Sequence, residues 1–89
     1  MFTYKYDFKK IYDLIYEMVN DLQYVHDMSF ADSLILNDKL VFIYNRNINS
    51  NYNKFGIDLQ QYVSIVDDTL KLELEQYDDR YQYIIKTKW

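Results

Sequence analysis

Hydrophobic residues in the first part of the chain recur at steps of three and four residues. This is the period of one face of an α-helix, so the pattern predicts an amphipathic helix over residues 7–25. Asp7 stands where its carboxylate can accept hydrogen bonds from the free amides of the first turn, which predicts an N-cap. Leu14 and Val19 lie beside the stripe. The stripe itself consists of Phe8, Ile11, Ile15, Met18, Leu22 and Val25.

Two apolar runs around the pair Asn37-Asp38 predict a tight β-hairpin with strands at 33–36 and 39–44. Residues 40–44 are apolar on both faces, which favours a central strand covered by the helix on one side. The next segment, residues 45–56, is rich in Asn, which bonds its own backbone and disfavours regular structure. We therefore predict a long loop there, either functional or an ordinary connection.

The segment 58–67 is compatible with two structures. Leu59 and Val63 have helical spacing, and Asp58 with Gln61 resembles a capping box. The same segment is also rich in β-branched residues, which favours a strand. The helical interpretation, a second short helix near 58–67, is the one we prefer.

The last third of the chain predicts a second hairpin. Apolar and charged residues alternate over 70–75, a turn follows at 76–80, and residues 81–89 return as a strand. Opposite charges on the two strands would fix the register. The cross-strand pairs expected are Lys86 and Lys88 with Glu73 and Glu75.

These elements predict an α+β fold in a single domain over residues 1–89. One long N-terminal amphipathic helix packs on an antiparallel sheet of four or five strands. Composition fits this architecture, since 49% of residues are hydrophobic and 19% aromatic. Cys is absent, which excludes disulfides, thiolate metal sites and thiol nucleophiles.

The composition also indicates where the protein acts. The chain begins without the pattern of a signal peptide, and no apolar run approaches the roughly 18 residues of a membrane helix. We expect a soluble protein of the cytoplasm. Pro is absent and Gly occurs once. The abundant residues have AT-rich codons, which suggests a low-GC genome and a phage or mobile element of such a host.

Catalytic and metal-binding patterns are missing from the sequence. His26, the single His, stands at the end of the predicted helix, where it would cap the C-terminus. No Ser belongs to a nucleophile motif, and a phosphate-binding glycine loop needs more than one Gly. Asp67-Asp68 and Asp78-Asp79 lack the alternating spacing of a calcium loop. We predict no catalytic residue, no metal, no cofactor and no enzymatic activity.

The charge distribution carries the functional prediction. Fourteen acidic and ten basic residues give a net charge of −4, which disfavours direct binding to nucleic acid or anionic membranes. Asp13, Glu17 and Asp21 stand four residues apart, each step rising roughly 6 Å along the helix. Such a row can imitate a phosphate backbone, with Asp78 and Asp79 in support. The alternative is an ordinary solvated helix face.

The acidic row predicts an inhibitor, encoded by a phage, that acts as a DNA mimic. Its partner would be a protein with a basic nucleic-acid-binding face, such as a CRISPR effector, a nuclease, a glycosylase or a transcription factor. The alternative is a structural or assembly protein that self-associates through a Tyr-rich surface, as a homodimer or larger assembly. Tyr52 and Tyr77 are partner-binding candidates in both cases. The full set of candidate surface tyrosines is Tyr4, Tyr6, Tyr52, Tyr77 and Tyr81.

Overall fold

The computed structural model describes residues 7–88, which form two helices and four strands. Their order is α1 (Phe8–Val25), β1 (Ser29–Ile35), β2 (Lys39–Asn45), α2 (Tyr52–Val66), β3 (Leu70–Gln76) and β4 (Arg80–Thr87). All strand pairs are antiparallel, and the sheet order is β1-β2-β4-β3. The predicted α+β fold is confirmed, with four strands in the described part of the chain. No helix within residues 7–88 is long and apolar enough to cross a membrane.

Helix α1 begins where the sequence predicted, with Asp7 as N-cap accepting a 3.2 Å hydrogen bond from the Lys10 backbone N–H. The predicted stripe is wrong at its C-terminal end. Met18 is only half-buried, and Val25 is 71% exposed. At 3.6 residues per turn, the buried face instead drifts one position further and ends at His26. The buried residues of α1 are Phe8, Ile11, Ile15 and Val19.

The connection between α1 and β1 is shorter than predicted. Asp27 adopts a positive φ of 54°, a left-handed conformation that Asp tolerates better than most residues. The following N–H, that of Met28, bonds the Gln23 carbonyl at 2.8 Å and closes the helix end. Strand β1 therefore starts at Ser29 instead of residue 33, and it continues through an irregularity in register before Asp32.

Helix α2 corrects two predictions. It begins at Tyr52, inside the segment predicted as a loop, so the true connection is only 46–51. Asp58 and Gln61 lie within the helix and form no capping box. The cause is tertiary: Phe55 is fully buried against the sheet, and its burial outweighs the weak helix propensity of the neighbouring Asn and Gly residues.

The core lies between the sheet and both helices, which pack on the same face of the sheet. At its centre the rings of Tyr44, Phe55 and Tyr83 contact each other edge to face, with centroid distances of 5.0 to 5.7 Å. The Tyr83 hydroxyl donates to the Tyr52 carbonyl at 2.9 Å, and that of Tyr44 donates to Gln23 Oε1 at 3.3 Å. Burial raises the pKa of both Tyr44 and Tyr83 well above its usual value.

The register of β3 and β4 confirms one predicted ion pair and contradicts the other. Lys86 Nζ lies 3.3 Å from a Glu73 carboxylate oxygen. Lys88 cannot reach Glu75, because the register places it beyond the start of β3, where its N–H bonds the Thr69 carbonyl. Glu73 also forms an ion pair with Lys71, with 3.1 Å between Lys71 Nζ and Glu73 Oε1. The hydrogen bonds from the two lysines lower the pKa of the Glu73 carboxyl.

Alkaline pH should unfold the domain through its buried tyrosines. The pKa of Tyr44 and Tyr83 is raised in the folded state, whereas in the unfolded chain it is about 10. Their contribution to stability is therefore complete below about pH 10 and is lost as the pH rises further. Urea unfolding from about pH 8 to about pH 12 should show this decline. In Tyr83→Phe the free energy of unfolding should fall less with pH, while exposed Tyr24→Phe should follow the wild type. An equal pH dependence in all three proteins would show that the buried tyrosines do not cause the alkaline unfolding.

Gly56→Ala should stabilise the protein. Gly56 lies inside α2 without a positive φ, and an added Cβ would meet Tyr83 Cε1 at 3.4 Å, an ordinary van der Waals contact. Ala exceeds Gly in helix propensity by about 1 kcal/mol, so we expect a gain of up to about 1 kcal/mol in the free energy of unfolding. A lower free energy of unfolding in urea would mean that the Tyr83 ring cannot accommodate the methyl group.

Candidate protein-binding surface

The predicted acidic row lies on the outward face of α1. Asp13, Glu17 and Asp21 are all exposed to solvent. Each four-residue step rises about 6 Å and turns about 40° around the helix axis. The row therefore winds around the solvent-facing side of α1 and does not run straight along it.

The charge of the row is concentrated in its C-terminal part. Lys9 Nζ lies 2.8 Å from Asp13 Oδ1, and this hydrogen bond raises the pKa of Lys9. Glu17 and Asp21 make no ion pair within residues 7–88. One strand of DNA carries a phosphate about every 3.4 Å along the axis, so the row has roughly half the charge density of a single strand.

Exposed apolar side chains border this row. Leu14 is 57% and Tyr24 is 78% exposed, next to the exposed Val25. A shallow groove of about 670 Å³ includes Leu14, the acidic row, Met18 and, from α2, Tyr62. The position of Leu14 beside the helical stripe was the one sequence signal for its exposure. The groove could not be predicted, because it depends on how α2 packs beside α1.

The structure does not join Asp78 and Asp79 to the row. Helix α1 packs against β1, β2 and α2, whereas these two residues form the turn between β3 and β4, the two strands farthest from β1 in the sheet. Asp79 is neutralised by Arg80 at 2.8 Å, and its carbonyl accepts a hydrogen bond from the Arg46 N–H at 3.0 Å. One of the two carboxylates of the turn is therefore paired with a neighbouring cation.

The candidate tyrosines divide between core and surface. Tyr52 is half-buried and stacks on the buried Tyr81 with 4.6 Å between ring centroids; the Arg46 guanidinium lies 4.8 Å from the Tyr81 ring. Tyr77 is exposed, lies 4.2 Å from the Arg80 guanidinium and donates a hydrogen bond to Glu75. That bond raises the pKa of Tyr77. The predicted candidates Tyr4 and Tyr6 lie outside the described residues.

His26 is the C-cap of α1, as predicted, but its side chain has a further role. It is 7% exposed, and its Nε2 lies 2.8 Å from Asp58 Oδ2 in α2. The His26 carbonyl also accepts the Asn51 N–H at 2.9 Å, just before α2 begins. The side chain therefore ties the two helices together. No group of three metal-ligating residues exists within 7–88.

Comparison with known proteins identified no relative of this chain. Neither a family model, nor a curated protein, nor a solved structure matches the chain. The functional argument therefore depends on the geometry of the residues described above.

Removing either partner of the His26–Asp58 pair should destabilise the domain. In Asp58→Ala the buried His26 loses its hydrogen-bond partner, and an unsatisfied buried polar group costs about 1–3 kcal/mol. We expect a loss of about 2 kcal/mol in urea unfolding. Exposed Asp21→Ala on the neighbouring helix is the control and should change little. Equal effects of the two substitutions would show that the pair does not hold the helices together.

Proposed function

We propose that this protein is a non-enzymatic inhibitor that binds another protein through the outward face of α1. The proposed partner is a cytoplasmic protein with a basic nucleic-acid-binding face, and the inhibitor is encoded by a phage that infects the cell. The observation that supports this proposal is the exposure of Glu17 and Asp21, which make no ion pair within residues 7–88, beside the apolar side chains of Leu14, Tyr24 and Val25.

Charge and apolar surface would contribute differently to such a complex. Carboxylates attract a basic groove over long distances and orient the encounter, while desolvated aromatic and aliphatic side chains supply most of the affinity. Because the row has only roughly half the charge density of a DNA strand, charge imitation alone would be weak. Tyr24 and Leu14 are the expected anchors beside it.

The proposed mechanism is occlusion. With α1 lying in the basic groove of the partner, Glu17 and Asp21 would face the Lys and Arg side chains that otherwise contact phosphates. Nucleic acid and inhibitor would then compete for one surface. The complex would weaken as salt screens the charges, in the same direction as the partner's own binding to nucleic acid.

Reversing the charge of the row tests this proposal. The variant Asp13→Lys, Glu17→Lys, Asp21→Lys should retain the fold, since all three side chains are exposed. In a tagged pull-down from low-GC bacterial lysate, the wild type should recover a nucleic-acid-binding protein that added DNA or high salt displaces. The variant should not recover this protein.

A second triple variant is the matched control. Asp38→Lys, Asp78→Lys, Asp79→Lys alters exposed turn residues and changes the net charge by the same amount. It should recover the partner as the wild type does. Loss of the partner in both variants would show that overall charge matters and the row does not. Recovery by both would exclude the outward face of α1 as the binding surface.

Lys9→Ala should strengthen binding to the same partner. The substitution removes the ammonium that pairs with Asp13 and restores the third free carboxylate of the row. Because the pair is exposed, thermal unfolding should hardly change. Titration of the recovered partner with both proteins should give a lower Kd for the variant and a steeper dependence on salt; a weaker complex would mean that Lys9 itself contacts the partner.

A further inference from the structure

The two edges of the sheet differ in how their backbone groups are satisfied. At the β3 edge the Leu72 N–H donates to Gln60 Oε1 at 2.7 Å, and α2 packs against β3. At the β1 edge no element within residues 7–88 pairs with the outer side of the strand. An open edge strand is a template for pairing with another chain. The β1 edge is therefore the side of the sheet on which we expect an interaction.

The register of the first hairpin shows which peptide groups of β1 point outward. The Leu36 N–H donates to the Lys39 carbonyl at 2.9 Å, so these two residues form a hydrogen-bonded pair. Because such pairs alternate along an antiparallel ladder, Ser33 and Ile35 direct their N–H and C=O groups away from β2. In the single chain the Asp32 carboxylate accepts the Ser33 N–H at 2.8 Å. An added strand would offer a backbone carbonyl in its place.

Exposed apolar side chains accompany these peptide groups. Leu34 and Ile35 are each 41% exposed, and Leu36 is 42% exposed. Successive side chains of a strand point to opposite faces, so Ile35 lies on the helix side of the sheet and Leu34 on the other side. The irregularity in register before Asp32 limits the regular part of the edge to residues 32–36. This short segment combines outward peptide groups with apolar side chains on both faces.

A small pocket lies between α1 and the first hairpin. It measures about 120 Å³, and the rings of Tyr12, Tyr16, Phe30 and Phe42 form most of its wall. A cavity of about 150 Å³ holds one benzene molecule, so this pocket has the size of a single apolar side chain. Phe42 lies directly opposite Ser33, whose short side chain fills little of the space beside the ring on the helix side.

We propose that a second copy of this chain pairs with the β1 edge in a two-fold symmetric dimer. The axis is perpendicular to the sheet and passes beside Leu34, so the two β1 strands run antiparallel and join the two sheets into one. Ser33 of each copy then lies opposite Ile35 of the other. In each of these pairs the N–H of one residue donates to the carbonyl of the other, in both directions.

The same register is complementary for the side chains. Ile35 of each copy extends over the small Ser33 of the other, on the helix side, towards the pocket beside Phe42. On the opposite face, Leu34 meets Leu34 of the second copy at the axis. Shifting the register to either neighbouring alignment would set Ser33 opposite Ser33 or Ile35 opposite Ile35. The space beside Ser33 would then receive no Ile35 side chain, so side-chain shape selects one alignment.

The charges near the junction are also complementary. Asp32 would lie opposite Leu36 of the second copy, and Leu36 pairs with Lys39 in its own hairpin. Lys39 makes no ion pair within residues 7–88. Because the Ser33 N–H donates across the dimer, the Asp32 carboxylate is released and faces the Lys39 ammonium of the second copy. The dimer therefore exchanges one local hydrogen bond for a backbone bond and an ion pair.

The size of the contact limits the strength of the dimer. Seven residues of β1 at about 3.4 Å each are about 24 Å long, and the sheet with its helix layer is about 20 Å thick. Each copy would cover roughly 480 Å², and the total of roughly 1,000 Å² lies below the roughly 1,200 Å² typical of stable complexes. We therefore expect a reversible dimer with a Kd in the micromolar range.

The symmetry places both helix layers on the same face of the joined sheet. Each helix covers about two strands, so the two α1 helices lie side by side, about 10 Å apart, and run antiparallel. The acidic rows of both copies then lie on one side of the dimer. The bond between Gln60 and Leu72 covers the remaining edge of each copy, so the sheet extends no further. The dimer does not depend on the proposed inhibitory function, since it uses the sheet edge.

Sedimentation of the purified chain over a range of concentrations tests the dimer, with Ile35→Glu and Ile57→Glu as a matched pair. The two side chains are 41% and 58% exposed, so neither substitution should unfold the domain. The wild type should dimerise reversibly. Ile35→Glu should raise the Kd of the dimer at least about tenfold, because it brings a carboxylate to the aromatic pocket. Ile57→Glu, on α2, should leave the Kd within about twofold.

Cross-linking tests the alignment of the two strands, since the chain contains no Cys. In Leu34→Cys the two Cα atoms would lie about 5 Å apart, within the range of a disulfide. In Leu36→Cys, also on the outer face, they would lie about 14 Å apart, because four residues at about 3.4 Å separate them along the strands. Oxidised glutathione should therefore convert Leu34→Cys to a covalent dimer at least about tenfold faster than Leu36→Cys.

Several results would overturn the proposal. A wild type that stays monomeric up to about 1 mM excludes the expected affinity. A dimer that survives Ile35→Glu, or one that is lost equally in Ile57→Glu, places the contact elsewhere. Equal cross-linking of Leu34→Cys and Leu36→Cys excludes the proposed alignment. None of these results bears on the pull-down with the acidic row.

Discussion

The edge-to-face contacts among Tyr44, Phe55 and Tyr83 are the constraint on which the rest of the fold depends. These three fully buried rings come from β2, α2 and β4, so one cluster joins the two hairpins and fixes α2 above them. Aromatic pairs in this geometry contribute about 0.5–1.5 kcal/mol each beyond the area that they bury. The two hydroxyls extend the constraint to α1 through Gln23 and to the start of α2 through the Tyr52 carbonyl.

Because both helices are held on one side, the molecule presents two different surfaces. The helical side exposes Glu17 and Asp21 with apolar neighbours, whereas on the other face of the sheet Val41 and Ile84 are buried. A 2.8 Å contact between His26 Nε2 and Asp58 Oδ2 links α1 to α2, the two helices that line the groove.

The elements that depend on local periodicity could be predicted from the sequence. Residues 7–25, both hairpins and the Lys86–Glu73 pair follow from spacing alone. The start of α2 could not be predicted, because Asn-rich residues become helical only when Phe55 is buried by strands distant in sequence. The acidic row was visible as a pattern, but its apolar border and the neutralisation of Asp79 depend on tertiary packing and on side-chain geometry.

The central claim is that the outward face of α1 is the surface that a protein partner covers. The most direct measurement is a titration of the isotope-labelled chain with the captured partner, followed by amide chemical shifts assigned to individual residues. The account predicts that the largest changes fall between Asp13 and Val25 on α1, with few in the turn at 77–79. Changes concentrated in that turn, or on the sheet face around Val41 and Ile84, would contradict it.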